Sequence, residues 1–152
     1  MKNHRQPARF QLVTLLALVT LFSVAWPSVA DGQTTTPITI SRLQGPWAMT
    51  LIGITGCGNG TSWVTFTLDA AGVGSATIQS HTSGCGDLTS TDLPFKIQTL
   101  NANGSGTANL SCGFACGWEF KIQVNRLGTI FTVVDVDSQN PGNYLQGTAI
   151  HQ

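Results

Sequence analysis

Apolar and polar side chains alternate one residue at a time through several runs of the chain, and that two-residue period confines it to β structure. In residues 62–69, Val64, Phe66 and Leu68 share one face, and Thr65, Thr67 and Asp69 share the other. In residues 93–100, Phe95 and Ile97 oppose Lys96 and Gln98. In residues 118–126, Trp118, Phe120, Ile122 and Val124 oppose Glu119, Lys121, Gln123 and Asn125. Such a pattern puts one face in a core and the other in water. After residue 30 no 3.6-residue apolar period runs long enough for a helix. We read eight strands, at 47–55, 62–69, 74–82, 93–100, 106–112, 118–126, 129–137 and 144–151. Asp69-Ala-Ala-Gly72, Asn103-Gly104 and Arg126-Leu-Gly128 join them with hairpin chemistry, in which Gly or Asn supplies positive φ. Short connections favour an antiparallel up-and-down meander that closes into a barrel. The alternative is a two-sheet β-sandwich, which needs longer crossovers. The first and seventh runs are apolar on both faces, so their orientation is open.

Residues 1–30 read as a cleaved signal peptide. Lys2, Arg5 and Arg9 precede an uncharged stretch from residue 10 to 26, Pro27 breaks it, and Ser28-Val29-Ala30 suits a signal peptidase. An uncleaved anchor is the alternative, but the apolar run is at the short limit for a span. The expected organisation is therefore signal peptide 1–30, a Thr-rich extended arm at 31–41 with a short strand around Ile38 to Ile40, and one barrel domain at 42–152, secreted or periplasmic. After residue 30, four basic residues remain (Arg42, Lys96, Lys121 and Arg126) against all seven acids, a net charge of −3. Four scattered cations cannot neutralise a run of phosphates or hold an anionic bilayer, so nucleic acid and stable membrane insertion are not expected.

In an up-and-down meander, Cys57, Cys85, Cys112 and Cys116 all fall in or beside loops at one end. Each is followed by glycine, and Thr55-Gly-Cys-Gly-Asn-Gly-Thr-Ser62 resembles Ser83-Gly-Cys-Gly-Asp-Leu-Thr-Ser90. An even cysteine count in a small exported domain reads as disulfides. Three pairings are possible; we favour Cys57 with Cys85 and Cys112 with Cys116. The rival is zinc held by Cys-Gly knuckles, with His81 nearby, but Cys112 and Cys116 are spaced one residue wider than usual. No metal or cofactor is expected.

Gly45-Pro46-Trp47 opens the first strand. With the strand count and length, it resembles the Gly-x-Trp start of the calycin barrels, the lipocalins and avidins. The resemblance implies a barrel floor closed by Trp47 beneath a basic side chain, here Arg126. The further tryptophans and biotin-binding polar residues of avidins are missing, so no particular ligand is implied. The inward phase of the alternation holds Val64, Phe66, Leu68, Ala76, Ile78, Phe95, Ile97, Ala108, Leu110, Trp118, Phe120, Ile122 and Val124, all apolar. Either these fill a narrow barrel, or Phe66, Phe95, Trp118 and Phe120 line a cavity for an apolar small molecule. Asp135-Val-Asp137-Ser-Gln-Asn140 spaces oxygens as calcium loops do, yet lacks their glycine and terminal glutamate, and reads as a solvated turn. His81 and His151 fall at opposite ends with no nucleophile elbow or carboxylate pair, so no catalytic residue is expected. The expectation is a non-enzymatic binding module for an apolar small molecule. The alternative is a structural or adhesive surface module with a filled core, in which outward Trp63 and Tyr144 make the contacts.

Overall fold

The computed structural model describes residues 36–111, 117–137 and 142–152. The segment expected to be a signal peptide, the first part of the expected arm, Cys112, Cys116 and the tip of the calcium-like segment lie outside these residues. The described chain is all-β apart from one 3-10 turn. Its strands are β1 (Gly45–Thr55), β2 (Gly58–Leu68), β3 (Val73–Thr82), β4 (Gly86–Leu100), β5 (Ser105–Ser111), β6 (Gly117–Val124), β7 (Ile130–Asp135) and β8 (Tyr144–His151). Each pairs antiparallel with the next, and β8 returns to β1 with Trp47 opposite His151 and Ile54 opposite Tyr144. That last ladder closes the barrel, and a two-sheet sandwich is thereby excluded.

Of the thirteen positions expected to face inward, twelve are buried, and Trp118 packs partly buried against them. The two ambiguous strands resolve the same way. In β1, Trp47, Met49 and Leu51 are buried while Ile52 and Ile54 are exposed; in β7, Phe131 and Val133 are buried while Ile130 and Val134 are exposed.

Two strands start earlier than the alternation suggested. β2 begins at Gly58 and β4 at Gly86, so polar, glycine-bearing stretches expected as loops are ladder residues. Within the first of these, Asn59 pairs with Ile54. In β4 a bulge hides the period. Ile78 pairs with Ser90 but Ala76 pairs with Leu93, and between them Asp92 takes a left-handed φ of 57°. The extra residue resets the phase, so Leu88 and Ser90 before it and Leu93, Phe95 and Ile97 after it follow one inward phase.

The end of the expected arm belongs to the barrel. Ile38 is buried, its N–H reaching toward the carbonyl of Ala102, and Ile40–Leu43 is a 3-10 turn rather than a strand. Leu43 is fully buried, and its carbonyl accepts the Trp47 indole N–H at 2.8 Å. Burying two apolar side chains over the barrel floor outweighs the extended preference of this Thr-rich, Ile-bearing stretch.

Candidate functional site: the disulfide-stapled mouth

Cys57 and Cys85 occupy the tight β1–β2 and β3–β4 turns and are joined by a disulfide. Both turns are built alike. The Cys57 N–H bonds to the Thr55 hydroxyl at 3.2 Å, and the Cys85 N–H to the Thr82 hydroxyl at 3.3 Å. The glycine after each cysteine has positive φ, 87° at Gly58 and 71° at Gly86, where a side chain would be strained. The repeated Cys-Gly unit thus serves a left-handed turn residue, and a zinc site using these two sulfurs is ruled out because they are bonded to each other. The expected Cys112–Cys116 bridge lies outside the described residues.

Beneath the stapled turns lies a cavity of about 410 Å³. Its apolar wall is Leu51, Ile78, Leu93, Trp118 and Leu145, with Leu88 near the rim. Thr55, Ser62, Ser80, Thr82, Ser90 and Asn143 add hydroxyls and one carboxamide. The next inward residues down the same strands are Met49, Val64, Ala76, Phe95 and Phe120, all buried. The barrel is therefore packed in its lower part and hollow at the cysteine end.

Of the four residues expected to line a cavity, Trp118 does so. Phe66, Phe95 and Phe120 belong to the packed part: Phe66 stacks on Phe95 at 4.4 Å between centroids, and Phe120 is fully buried. The hydroxyl side of the cavity went unread. Its signal was present, because the inward phase turns from apolar to hydroxyl toward the cysteine end, from Val64 to Ser62 on β2 and from Ile78 to Ser80 and Thr82 on β3.

At the opposite end, Trp47 is buried against Phe66, Phe131 and His151. Arg126, expected over this ring, is exposed in the β6–β7 turn, and the His151 imidazole takes the place instead, also bonded to the Gln44 carbonyl at 3.0 Å. The basic group comes from the last strand because β8 pairs with β1 beside Trp47.

Asp135 ends β7 on the inward phase. Its Oδ1 accepts the Asp137 N–H at 2.9 Å, and its Oδ2 is buried without a partner among the described residues. Burial raises its pKa above the ordinary carboxylate value; the Asp137 N–H works against that shift and the Asp137 charge adds to it. On the outer wall, the His81 Nδ1 lies 2.7 Å from Asp87, a carboxylate partner that the sequence spacing did not suggest.

No protein-family model and no curated protein sequence matches this chain.

Proposed function

We propose that this is an exported, non-enzymatic binding module that takes a small, mostly apolar molecule into the hollow end of its barrel. The cavity carries the reading: about 410 Å³ is within the range of small-molecule sites, and its wall is mainly hydrocarbon and one indole. Hydroxyls and a carboxamide line the same space, and among the described residues its lining contains no ionisable side chain, Cys57 being held in the disulfide. A neutral ligand with an apolar body and a hydrogen-bonding head complements that lining, since an unpaired charge would be costly to desolvate there. The packed lower barrel holds the cavity walls in place, so little ordering is required on binding. The disulfide between two mouth turns and the leader-like first thirty residues support export to an oxidising compartment. Among the described residues no helix is long and apolar enough to cross a membrane.

Titration with the neutral apolar probe N-phenyl-1-naphthylamine tests the reading. Saturable probe fluorescence, with quenching of Trp118 and loss of binding in an Ile78→Trp variant that still folds, is expected. Absence of saturable binding, or identical binding in the filled variant, would overturn it. Native mass spectrometry of protein isolated from its own host would then weigh the bound molecule.

A further inference from the structure

A second concavity lies on the outside of the barrel, across β2, β3 and β4. It measures about 370 Å³ and is lined by Thr61, Trp63, Gln79, His81, Asp87 and Thr89, among others. The strand register sets these residues in two neighbouring rows. Trp63 pairs with Gln79 and Gln79 with Thr89; Thr61 pairs with His81 and His81 with Asp87. All six are exposed; Ser80 and Leu88 also border this groove and line the inner cavity as well, so the two spaces share that part of their lining.

We propose that this groove is a binding site for a neutral saccharide. Three features support it together. Trp63 is 48% exposed, so about half of its surface is open to a ligand. A pyranose has a face of C–H bonds that covers such a ring, removing apolar surface from water while the polarised C–H groups meet the negative π face. Around the ring stand planar groups suited to vicinal hydroxyls. The Gln79 carboxamide both donates and accepts, and His81 and Asp87 in the next register row each keep a second ring nitrogen or carboxylate oxygen outside their mutual contact. The third feature is the His81–Asp87 contact at 2.7 Å, which brings the imidazole and the carboxylate together on the groove's second row. Among the described residues no Lys or Arg lines the groove, so no fixed cation there complements a sulfate or uronate. A single exposed tryptophan commonly carries no meaning. Here it stands in a concavity, flanked on its own row and the next by hydrogen-bonding groups of both polarities.

The proposed contacts, Trp63, Gln79, His81 and Asp87, lie outside the cavity lining, so the proposal does not rest on the cavity reading. Its test is a titration of the full barrel with cellohexaose, maltohexaose, laminarihexaose and chitohexaose, each to about 10 mM, followed through the Trp63 indole N–H resonance. At least one neutral oligosaccharide is expected to move that resonance saturably. Trp63→Ala should weaken the interaction roughly tenfold or more, and Gln79→Ala severalfold, with Gln79→Ala keeping the wild-type melting temperature and Trp63→Ala still folding cooperatively at some loss of stability, because its ring is about half buried. Ile78→Trp, which fills the inner cavity, should leave saccharide binding unchanged, so failure of either site is seen separately. No response to any of the four sugars, binding that survives Trp63→Ala, or preference for a sulfated oligosaccharide over all neutral ones would overturn the proposal.

Discussion

The His151 imidazole stands edge-on to the Trp47 indole, with ring centroids 4.9 Å apart and planes at 90°. Trp47 thereby meets β8 on one side, Phe66 of β2 and Phe131 of β7 on others, and the Leu43 carbonyl through its N–H. One ring at the seam between the first and last strands joins the floor turn to the barrel. Trp47→Ala is expected to cost about 3–5 kcal/mol through the cavity it leaves. Trp47→Phe keeps much of the packing but strands the Leu43 carbonyl, at about 1–2 kcal/mol. Urea unfolding measures both, and equal losses in the two variants would mean the hydrogen bond contributes nothing of its own.

The Cys57–Cys85 bridge closes a loop with a sequence separation of 28 residues. On the chain-entropy account a loop of that length stabilises by about 3–4 kcal/mol. A Cys57→Ser, Cys85→Ser double variant should therefore unfold at markedly lower denaturant concentration. An unchanged midpoint would show that the ladders on either side already hold the mouth together.

How legible was this molecule in its residues? The inward phases of β2, β3, β5 and β6 follow from simple alternation because each strand keeps one face in the core throughout. β4 was legible from Leu93 onward, where Phe95 and Ile97 face in as read, but its first half escaped because the bulge at Asp92 adds a residue, and period-2 reasoning cannot count across an irregularity it does not know is there. The cavity was half legible. Trp118 is a large apolar residue on the inward phase, and Ser62 and Ser80 continue the phases of Val64 and Ile78 but are ordinary strand-surface residues by type; Ser90 lies before the β4 bulge, where only strand register shows that it faces in. Arg126 was expected over Trp47 because turn order placed it at the right end; turn order says nothing about β8, whose own residue His151 reaches the ring first.

Gly147 sits on the inward phase of β8, opposite Leu51 of β1 and Val133 of β7. A Cβ there would overlap the Thr50 carbonyl oxygen and press on the Leu51 side chain, so strand β1 would have to move. Gly147→Ala is expected to destabilise by about 1–3 kcal/mol, as overpacking does. At Gly56 nothing stands within 4 Å of an added Cβ, and Gly56→Ala should fall within about 0.5 kcal/mol of wild type. Thermal melts of the two variants side by side give the comparison, and similar melting temperatures would refute the close approach.

Asp135 carries a pH dependence whose sign can be worked out. Its folded pKa lies above the ordinary 3.8, chiefly because burial disfavours the charged form. The native state therefore binds this proton more tightly than the unfolded chain does. Stability from this group is fully present below the unfolded value and is lost as pH rises through the folded one. Asp135→Asn should consequently melt above wild type near neutral pH, with the gap narrowing as the solution is acidified toward about pH 3. A gap that stays constant across that range would assign the effect to something other than ionisation.

The closed ladder from β1 round to β8 has a consequence for how this protein fails. Its exterior on β7, β8 and β1 is Ile130, Thr132, Val134, Gln146, Thr148, Ile150, Thr50, Ile52 and Ile54, without a single charge to act as a gatekeeper. In the native state such strands are harmless because closure leaves them no unpaired edge. Once the β1–β8 seam opens, two uncharged, β-branched edges are released at the same moment, each a template for a neighbouring molecule. Resistance to aggregation then depends on how seldom that seam parts rather than on surface charge, so the protein's working lifetime is set by a rate of opening.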